Sequence, residues 1–237
     1  MATRAVSASS QTTNSGTIGK MRTYTLALGA LVMSVAGAHA DCTADVNTAF
    51  EKLRGTRSFN MQTKITNAQG TLTMNNDYVL PDRMHQQVTL SSSDAGAMEM
   101  ILVGDKAWSN QGENGWAPLP PDFSAKIAKQ MKETVAEPPK DVSAFECLGD
   151  VNFEGKDYVA YRAKRQGAAA GAAADTKATG PTKEAAAALP NVQTVYIDKA
   201  TGLPARNIVT PESDPSKRLF DGSFAIRDGL KIEPPQG

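Results

Sequence analysis

The sequence predicts an α+β domain in which a single curved antiparallel sheet forms a half-open β-barrel, with helices lying across its concave face. Three observations support this prediction. Apolar and polar residues alternate through many short segments, and a period of two places alternate side chains on one face of a sheet. Short turns join these segments, so neighbouring strands run antiparallel. In two other segments, apolar residues recur every three or four positions, as they do in amphipathic helices.

The N-terminal segment has the pattern of a secretory signal peptide over residues 21–40. Arg22 precedes an apolar run at 26–36, and Ala38-His39-Ala40 forms an A-x-A cleavage site. We therefore expect cleavage after Ala40 and a mature protein in the periplasm that does not span the membrane. Residues 1–20 precede a second methionine and are rich in Ser, Thr and Asn, which predicts either a translation start at Met21 or a disordered leader.

Length and charge restrict the mature chain, residues 41–237, to a single domain without a nucleic-acid footprint. The full chain has 25 basic and 25 acidic residues. The leader removes three of the basic ones, Arg4, Lys20 and Arg22, and no acidic one, so the mature chain is slightly acidic. Such a balance does not favour nucleic-acid or membrane-surface binding. We expect a monomer.

Two cysteines, Cys42 and Cys147, remain after processing. In an exported chain such a pair favours one disulfide, which would tie the first helix to a late strand. Two free thiols and a metal site are the alternatives. A metal site has little support, because His85 is the one histidine of the mature chain and no C-x-x-C spacing occurs. Asp41 stands where a lipidation signal requires a small residue, so we expect no lipid anchor.

Two helices are predicted, at 43–54 and 123–137. The first begins with Thr43 as its N-cap and stops at Gly55. Its apolar positions follow the i, i+3, i+4, i+7 pattern and are Val46, Ala49, Phe50 and Leu53. Those of the second step by four and are Phe123, Ile127, Met131 and Val135. Each helix must bury its apolar stripe, and the sheet is the available surface.

Strands are predicted before, between and after the helices. The early ones are 58–66, 71–80 and four segments of 78–120 that are separated by turns at 81–82, 91–96, 104–105 and 112–115. The late ones are 143–147, 151–153, 156–164, 192–198, 203–210, 218–226 and 230–233. An Ala- and Gly-rich stretch at 166–189 interrupts the pattern, and its composition predicts a mobile insertion, either an extended hairpin tip or a tether.

Methionines are concentrated on one face of the predicted sheet. Met61, Met74, Met84, Met98 and Met100 all share the apolar parity of their strands. Flexible, polarisable methionine side chains suit a surface that accepts variable apolar shapes. An ordinary core packed under helices is the alternative. A Cu(I) thioether site is a third, with little support because the methionines are spread over separate strands and no M-x-x-M spacing occurs.

No residue pattern indicates catalysis. A nucleophile needs a neighbouring base, and His85 has the parity opposite to the apolar face, which predicts a solvent-facing strand residue. No G-x-S-x-G elbow or phosphate-binding loop occurs. The sequence therefore predicts a protein that is not an enzyme and that needs no cofactor.

Several segments resemble the LolA/LolB-like family of periplasmic lipoprotein-sorting proteins. The resemblance lies in Pro81-Asp82-Arg83-Met84, in the stretch EMILVGDKAW at 99–108, in VYIDKATGLP at 195–204 and in LKIEP at 230–234. It implies a half-open antiparallel barrel whose concave, helix-covered cavity holds acyl chains or similar lipids. Lipoprotein carriers place arginine before the proline of this strand, whereas this chain has Leu80, so the expectation is a more general hydrophobic ligand.

The resulting hypothesis is a periplasmic binding or carrier protein for a lipid or another hydrophobic small molecule. The alternative is an envelope protein–protein interaction or stress-sensing module that uses the same fold without a transferable ligand. The predicted ligand-binding residues are Phe59, Met61, Leu72, Met74, Tyr78, Met84, Val88, Met98, Met100, Leu102, Trp108, Phe123, Ile127 and Met131.

Overall fold

A computed structural model of the chain describes residues 42–68, 70–92, 97–112, 115–140, 143–166 and 190–236. All of them fall in one compact unit, His39–Gly237. The predicted leader, its cleavage site and nearly all of the 166–189 insertion lie outside the described residues. Those expectations therefore stay predictions.

The structure contains one antiparallel sheet of 11 strands. The strands, numbered along the chain, are β1 Ser58–Asn67, β2 Gly70–Val79, β3 Arg83–Leu90, β4 Met98–Val103, β5 Lys106–Gln111, β6 Trp116–Pro118, β7 Glu146–Phe153, β8 Lys156–Gln166, β9 Pro190–Asp198, β10 Pro204–Pro211 and β11 Phe220–Ile226. Their order in the sheet is β6-β5-β4-β3-β2-β1-β11-β10-β9-β8-β7. The sheet is therefore two meanders joined where β1 pairs with β11, and it is not closed into a barrel. The predicted fold class is confirmed.

Two helices pack on the same face of this sheet, which we call the inner face. α1, Cys42–Gly55, lies over β7, β9 and β10, whereas α2, Pro121–Met131, lies over β4 and β5. Val46 and Ala49 of α1 pack against Tyr161 and Val195. Burying these apolar stripes stabilises helices too short to persist alone in water. The buried residues form two clusters, one over each meander, and Phe50 of α1 packs against both.

The ends of both helices differ from the prediction. α1 starts at Cys42, so Thr43 is not its N-cap. Thr43 Oγ1 instead accepts a hydrogen bond from the Phe145 backbone N–H, at 3.0 Å. α2 ends at Met131, and a π-helical turn, Lys132–Ala136, completes the segment. Propensity and periodicity contain no information about such a widened turn.

Two strand assignments are also corrected. The segments at 143–147 and 151–153 form parts of a single strand, β7, which has a register shift between Cys147 and Gly149. Gly149 has φ 76°, a conformation that glycine adopts without strain. The predicted closing strand at 230–233 is not a strand. Its carbonyl at Ile232 accepts a hydrogen bond from Arg83 Nη1 at 2.6 Å, so a side chain rather than a ladder holds it.

The predicted disulfide is confirmed. Cys42, at the start of α1, is bonded to Cys147 of β7, with their Cα atoms 5.4 Å apart. The bond joins the first helix to the last strand of the sheet order and closes a loop with a sequence separation of 105.

Candidate functional site

Strand pairing assigns the inner face residue by residue. Phe59 pairs with Tyr78, Tyr78 with Met84, Met84 with Leu102 and Leu102 with Ala107. Directly paired residues point to the same side of a sheet. The predicted ligand-binding residues that share this face are Phe59, Met61, Leu72, Met74, Tyr78, Met84, Val88, Met98, Met100 and Leu102.

One end of this face is filled by the protein itself, and we call it the packed end. Phe59, Tyr78, Met84 and Leu102 are all buried there, together with Met131 from α2. The rings of Phe59 and Tyr78 lie 5.3 Å apart. Burial also raises the pKa of the Tyr78 hydroxyl, because the charged phenolate would lose its hydration. These residues form core, and they do not offer surface to a ligand.

The other end of the inner face is more exposed, and we call it the open end. Its residues are Ile65 of β1, Leu72 and Met74 of β2, Val88 and Leu90 of β3, and Met98 of β4. Leu90 and Met98 retain 37% and 40% of their accessible surface, and the others are half-buried. Met61 and Met100 lie between the two ends and pack against the core. Six neighbouring apolar side chains therefore face solvent on the side of the sheet that carries the helices.

Trp108 lies on the opposite, outer face, apart from the other predicted ligand-binding residues of the sheet. Gly104 and Asp105 form a two-residue turn that pairs Leu102 with Ala107 and Ile101 with Trp108. This pairing exchanges the parity of inner-facing positions between β4 and β5. The apolar parity of β4 consequently does not extend to β5.

The predicted residues of α2 occupy different environments. Met131 is buried, and Ile127 is half-buried against the packed end. Phe123, in contrast, is 54% exposed at the start of the helix. Pro121 and Asp122 precede it in the first turn, where the backbone of Ser124 is already bonded to the Pro120 carbonyl. The structure therefore brings Ile127 and Met131, but not Phe123, onto the core.

The outer face is polar at its centre. His85 Nε2 lies 2.9 Å from Glu99 Oε2, and both side chains are about one third exposed. The His85 ring lies 6.3 Å from that of Trp116. The prediction that His85 faces away from the apolar surface is confirmed. Among the described residues, no group of three or more His, Cys, Asp or Glu could hold a metal ion.

Polar residues on the inner face were missed by the sequence analysis. Thr63 and Asn76 are each 1% exposed between the packed and open ends. Thr63 belongs to the same alternating series as Met61, and Asn76 to that of Met74 and Tyr78. That shared parity was the signal, and it indicated inward-facing polar groups as clearly as it indicated inward-facing methionines.

Comparison with solved structures places this architecture among known folds. The lipoprotein LppX of Mycobacterium tuberculosis matches with a TM-score of 0.52 and 12% identity, over 81% of this chain and 98% of that one. This chain has a LolA-like fold. The resemblance noted in the sequence is confirmed at the level of the fold.

Two further structures are similar over comparable lengths. LprF from Mycobacterium bovis has a TM-score of 0.49 and 11% identity, over 83% of this chain and 97% of that one. A Vibrio parahaemolyticus domain described as outer membrane lipoprotein-sorting has a TM-score of 0.30 and 12% identity, over 80% and 95% of the two chains. No protein-family model matches the sequence, and no curated protein matches it either. Within the described residues, no helix is long and apolar enough to cross a membrane.

Proposed function

We propose that this protein binds a hydrophobic ligand, a lipid or a molecule with acyl chains, on the open end of its inner face and carries it through the periplasm. The observation that supports this most is the set of six neighbouring apolar side chains on the helix-covered side, of which two are exposed and four are half-buried. Soluble domains seldom expose contiguous apolar surface without a use for it. Flexible methionines beside it suit ligands of variable shape.

Burial of the ligand on this surface would supply the binding free energy. Apolar area removed from water contributes about 25 cal/mol per Å², so covering even part of the open end favours an alkyl chain. Among the described residues, the inner-face strand positions of the open end carry no charged side chain, and ion pairs such as Arg206–Asp221 and Lys164–Glu212 lie on other strands. The open end therefore favours the apolar part of a ligand and provides no recognition of a charged headgroup.

The proposed place of action rests on two features. The leader at 21–40 has the form of an export signal, and the Cys42–Cys147 disulfide suits an oxidising compartment. A role in binding, and not in catalysis, agrees with a site composed of hydrocarbon and thioether groups, which have no acid, base or nucleophile to offer.

Native mass spectrometry of protein purified from the periplasm tests the proposal. We expect an added mass that solvent extraction identifies as lipid. Binding of the fluorescent apolar probe N-phenyl-1-naphthylamine would be measured in parallel, with Val88→Asp on the open end and Thr89→Asp next to it on the outer face. Val88→Asp should abolish probe binding, because it places a charge in the apolar surface, whereas Thr89→Asp should retain it.

A different result would contradict the proposal. A clean apo mass, together with equal probe binding by both variants, would exclude the open end as a ligand site. Recovery of the apo protein with one stable envelope protein would favour the interaction module instead.

A further inference from the structure

A stripe of polar side chains crosses the otherwise apolar inner face. It consists of Asn76 on β2, Thr63 on β1, Asn207 on β10 and Gln193 on β9. Register places them together, because Thr63 pairs with Gly222 of β11, and Gly222 with Asn207. Gln193 Nε2 donates to Asn207 Oδ1 at 2.9 Å, so that half of the stripe is internally bonded.

The other half lacks partners. Thr63 Oγ1 and Asn76 Oδ1 are both fully buried, and neither forms a hydrogen bond with the described residues. Nearby, the Gln86 amide has a weak acceptor, with Nε2 lying 4.0 Å from Met74 Sδ. Buried polar atoms in folded proteins are nearly always hydrogen-bonded, and each exception requires an explanation. Either an ordered water or a polar group of a bound ligand can supply the partner for this pair.

The surroundings restrict what such a ligand is. Thr63 pairs directly with Met74, and Asn76 pairs directly with Met61, so apolar side chains flank both polar atoms. The two residues are diagonal neighbours on adjacent strands, at a Cβ separation of roughly 7 Å. One small group between them can reach both. It must be a polar point on a largely apolar ligand.

A hydroxyl group matches these two atoms best. Thr63 Oγ1 can donate or accept a hydrogen bond, and Asn76 Oδ1 accepts one. A ligand O–H can donate to Asn76 while it accepts from Thr63, and it would still match if the asparagine amide were turned over. A plain alkyl chain at the same place would leave both polar atoms unsatisfied, at a cost in affinity.

We propose that the ligand is a hydroxylated lipid chain, and that Thr63 and Asn76 bind its hydroxyl group. This inference rests on the proposed function. Thr63 and Asn76 are covered in the unliganded protein, so the chain must displace side chains to reach them. Met61 and Met74 are the direct strand partners, and methionine changes rotamer at little cost.

Competitive displacement of N-phenyl-1-naphthylamine from the full-length mature protein tests the inference. The probes are stearic acid and its 3-, 10- and 12-hydroxy derivatives. We expect at least one hydroxystearate to bind about tenfold more tightly than stearate, a difference of about 1.4 kcal/mol. Thr63→Val should remove this preference by weakening hydroxystearate binding relative to stearate binding, whereas Thr63→Ser, which keeps the hydroxyl, should retain it.

Thr73→Val is the matched control, because Thr73 lies on the outer face of β2, paired with Lys64. It should keep the preference. Melting temperatures of all variants confirm that each is folded. If wild type binds stearate and every hydroxystearate equally, or if Thr63→Val keeps the preference, the inference is wrong while the proposed function stands. Equal weakening of all probes by Thr63→Val would assign the two atoms to a bound water and overturn the inference. If no fatty acid displaces the probe, the proposed function fails as well.

Discussion

Cys42 and Cys147 join the first turn of α1 to the second position of β7, and their Cα atoms lie 5.4 Å apart. Their bond fastens the helix that covers β9 and β10 to the edge of the same sheet. Thr43 reinforces the junction through its hydrogen bond from Phe145. One end of α1 is thus held by covalent and polar contacts, and the other by burial of Leu53.

Replacing both cysteines with serine should therefore destabilise the fold. In the chain-entropy account, a closed loop of about 100 residues contributes up to about 4–5 kcal/mol. Urea unfolding with and without dithiothreitol measures the effect. Reductant should move the wild-type midpoint to that of the double variant and leave the variant unchanged. Identical unreduced midpoints would show that the bond does not stabilise the fold.

Aspartate at Met100 should affect stability, whereas aspartate at Met98 should affect binding. Met100 packs against the buried core, so Met100→Asp places a charge there and should cost about 2–4 kcal/mol. Met98 is 40% exposed at the open end. Met98→Asp should change unfolding free energy by less than about 1 kcal/mol yet weaken N-phenyl-1-naphthylamine binding. Equal effects of the two variants on unfolding would contradict the division of the inner face.

Gly222 should tolerate no side chain while Phe220 is present. A Cβ built on Gly222 would lie 2.9 Å from Phe220 Cε1 and 3.1 Å from Cζ. Phe220 is buried, so its ring cannot move aside without repacking. Gly222→Ala should cost about 1–3 kcal/mol. In urea unfolding, the loss should shrink when Phe220→Leu is already present.

Gly55→Ala is the control for that series. A Cβ at Gly55, the last residue of α1, would have nothing within 4 Å. It should leave stability unchanged or slightly higher, because alanine favours helix. Additive losses from Gly222→Ala and Phe220→Leu would refute the steric account.

Alkaline pH should unfold the protein through its tyrosines. Tyr161 donates a hydrogen bond to Asp45 Oδ2 at 3.2 Å. Burial and the Asp45 charge raise the Tyr161 pKa to about 12, above an unfolded pKa of about 10. As the pH rises, the Tyr161 hydroxyl therefore ionises in the unfolded chain before it ionises in the folded protein. This contribution to stability is complete below about pH 10 and is lost as the pH rises towards 12.

Denaturant midpoints between pH 8 and pH 11.5 test this direction. Tyr161→Phe should remove this part of the alkaline loss. Asp45→Asn should make the loss smaller and complete it at a lower pH, because without the Asp45 charge the folded-state pKa of Tyr161 lies closer to the unfolded value. Burial also raises the pKa of Tyr78. Both variants should therefore keep part of the decrease in denaturant midpoint at alkaline pH. A wild-type slope unchanged by Tyr161→Phe would contradict the assignment.

Alternation within a strand was sufficient to predict most of the inner face. Met84, Val88 and Met98 share the inner face, because strand geometry fixes a period of two. The parity between strands is not fixed in this way, since it depends on the number of residues in each turn. For this reason the two-residue turn at Gly104 placed Trp108 on the other side.

Other features required tertiary contacts to be seen. The segment around Ile232 has the composition of a strand, yet β11, the last strand of the chain, already pairs with β1 and β10. Burial of Ile232 and a hydrogen bond from Arg83 hold the segment instead. Separation of the inner face into packed and open ends depends on where α2 lies, and Met131 buries one end only. The hydrophobic pattern is the same at both ends, so it could not distinguish core from candidate site.

The sheet is open, and β6 and β7 stand at opposite ends of its strand order. A closed barrel fixes its own girth, because every strand has two neighbours. Here a small change of twist at each of several pairings would change the curvature of the inner face without breaking a ladder hydrogen bond. The size of ligand that fits the inner face would then be set by gradual bending of the whole sheet. One protein could in this way bind ligands of different thickness without a dedicated hinge.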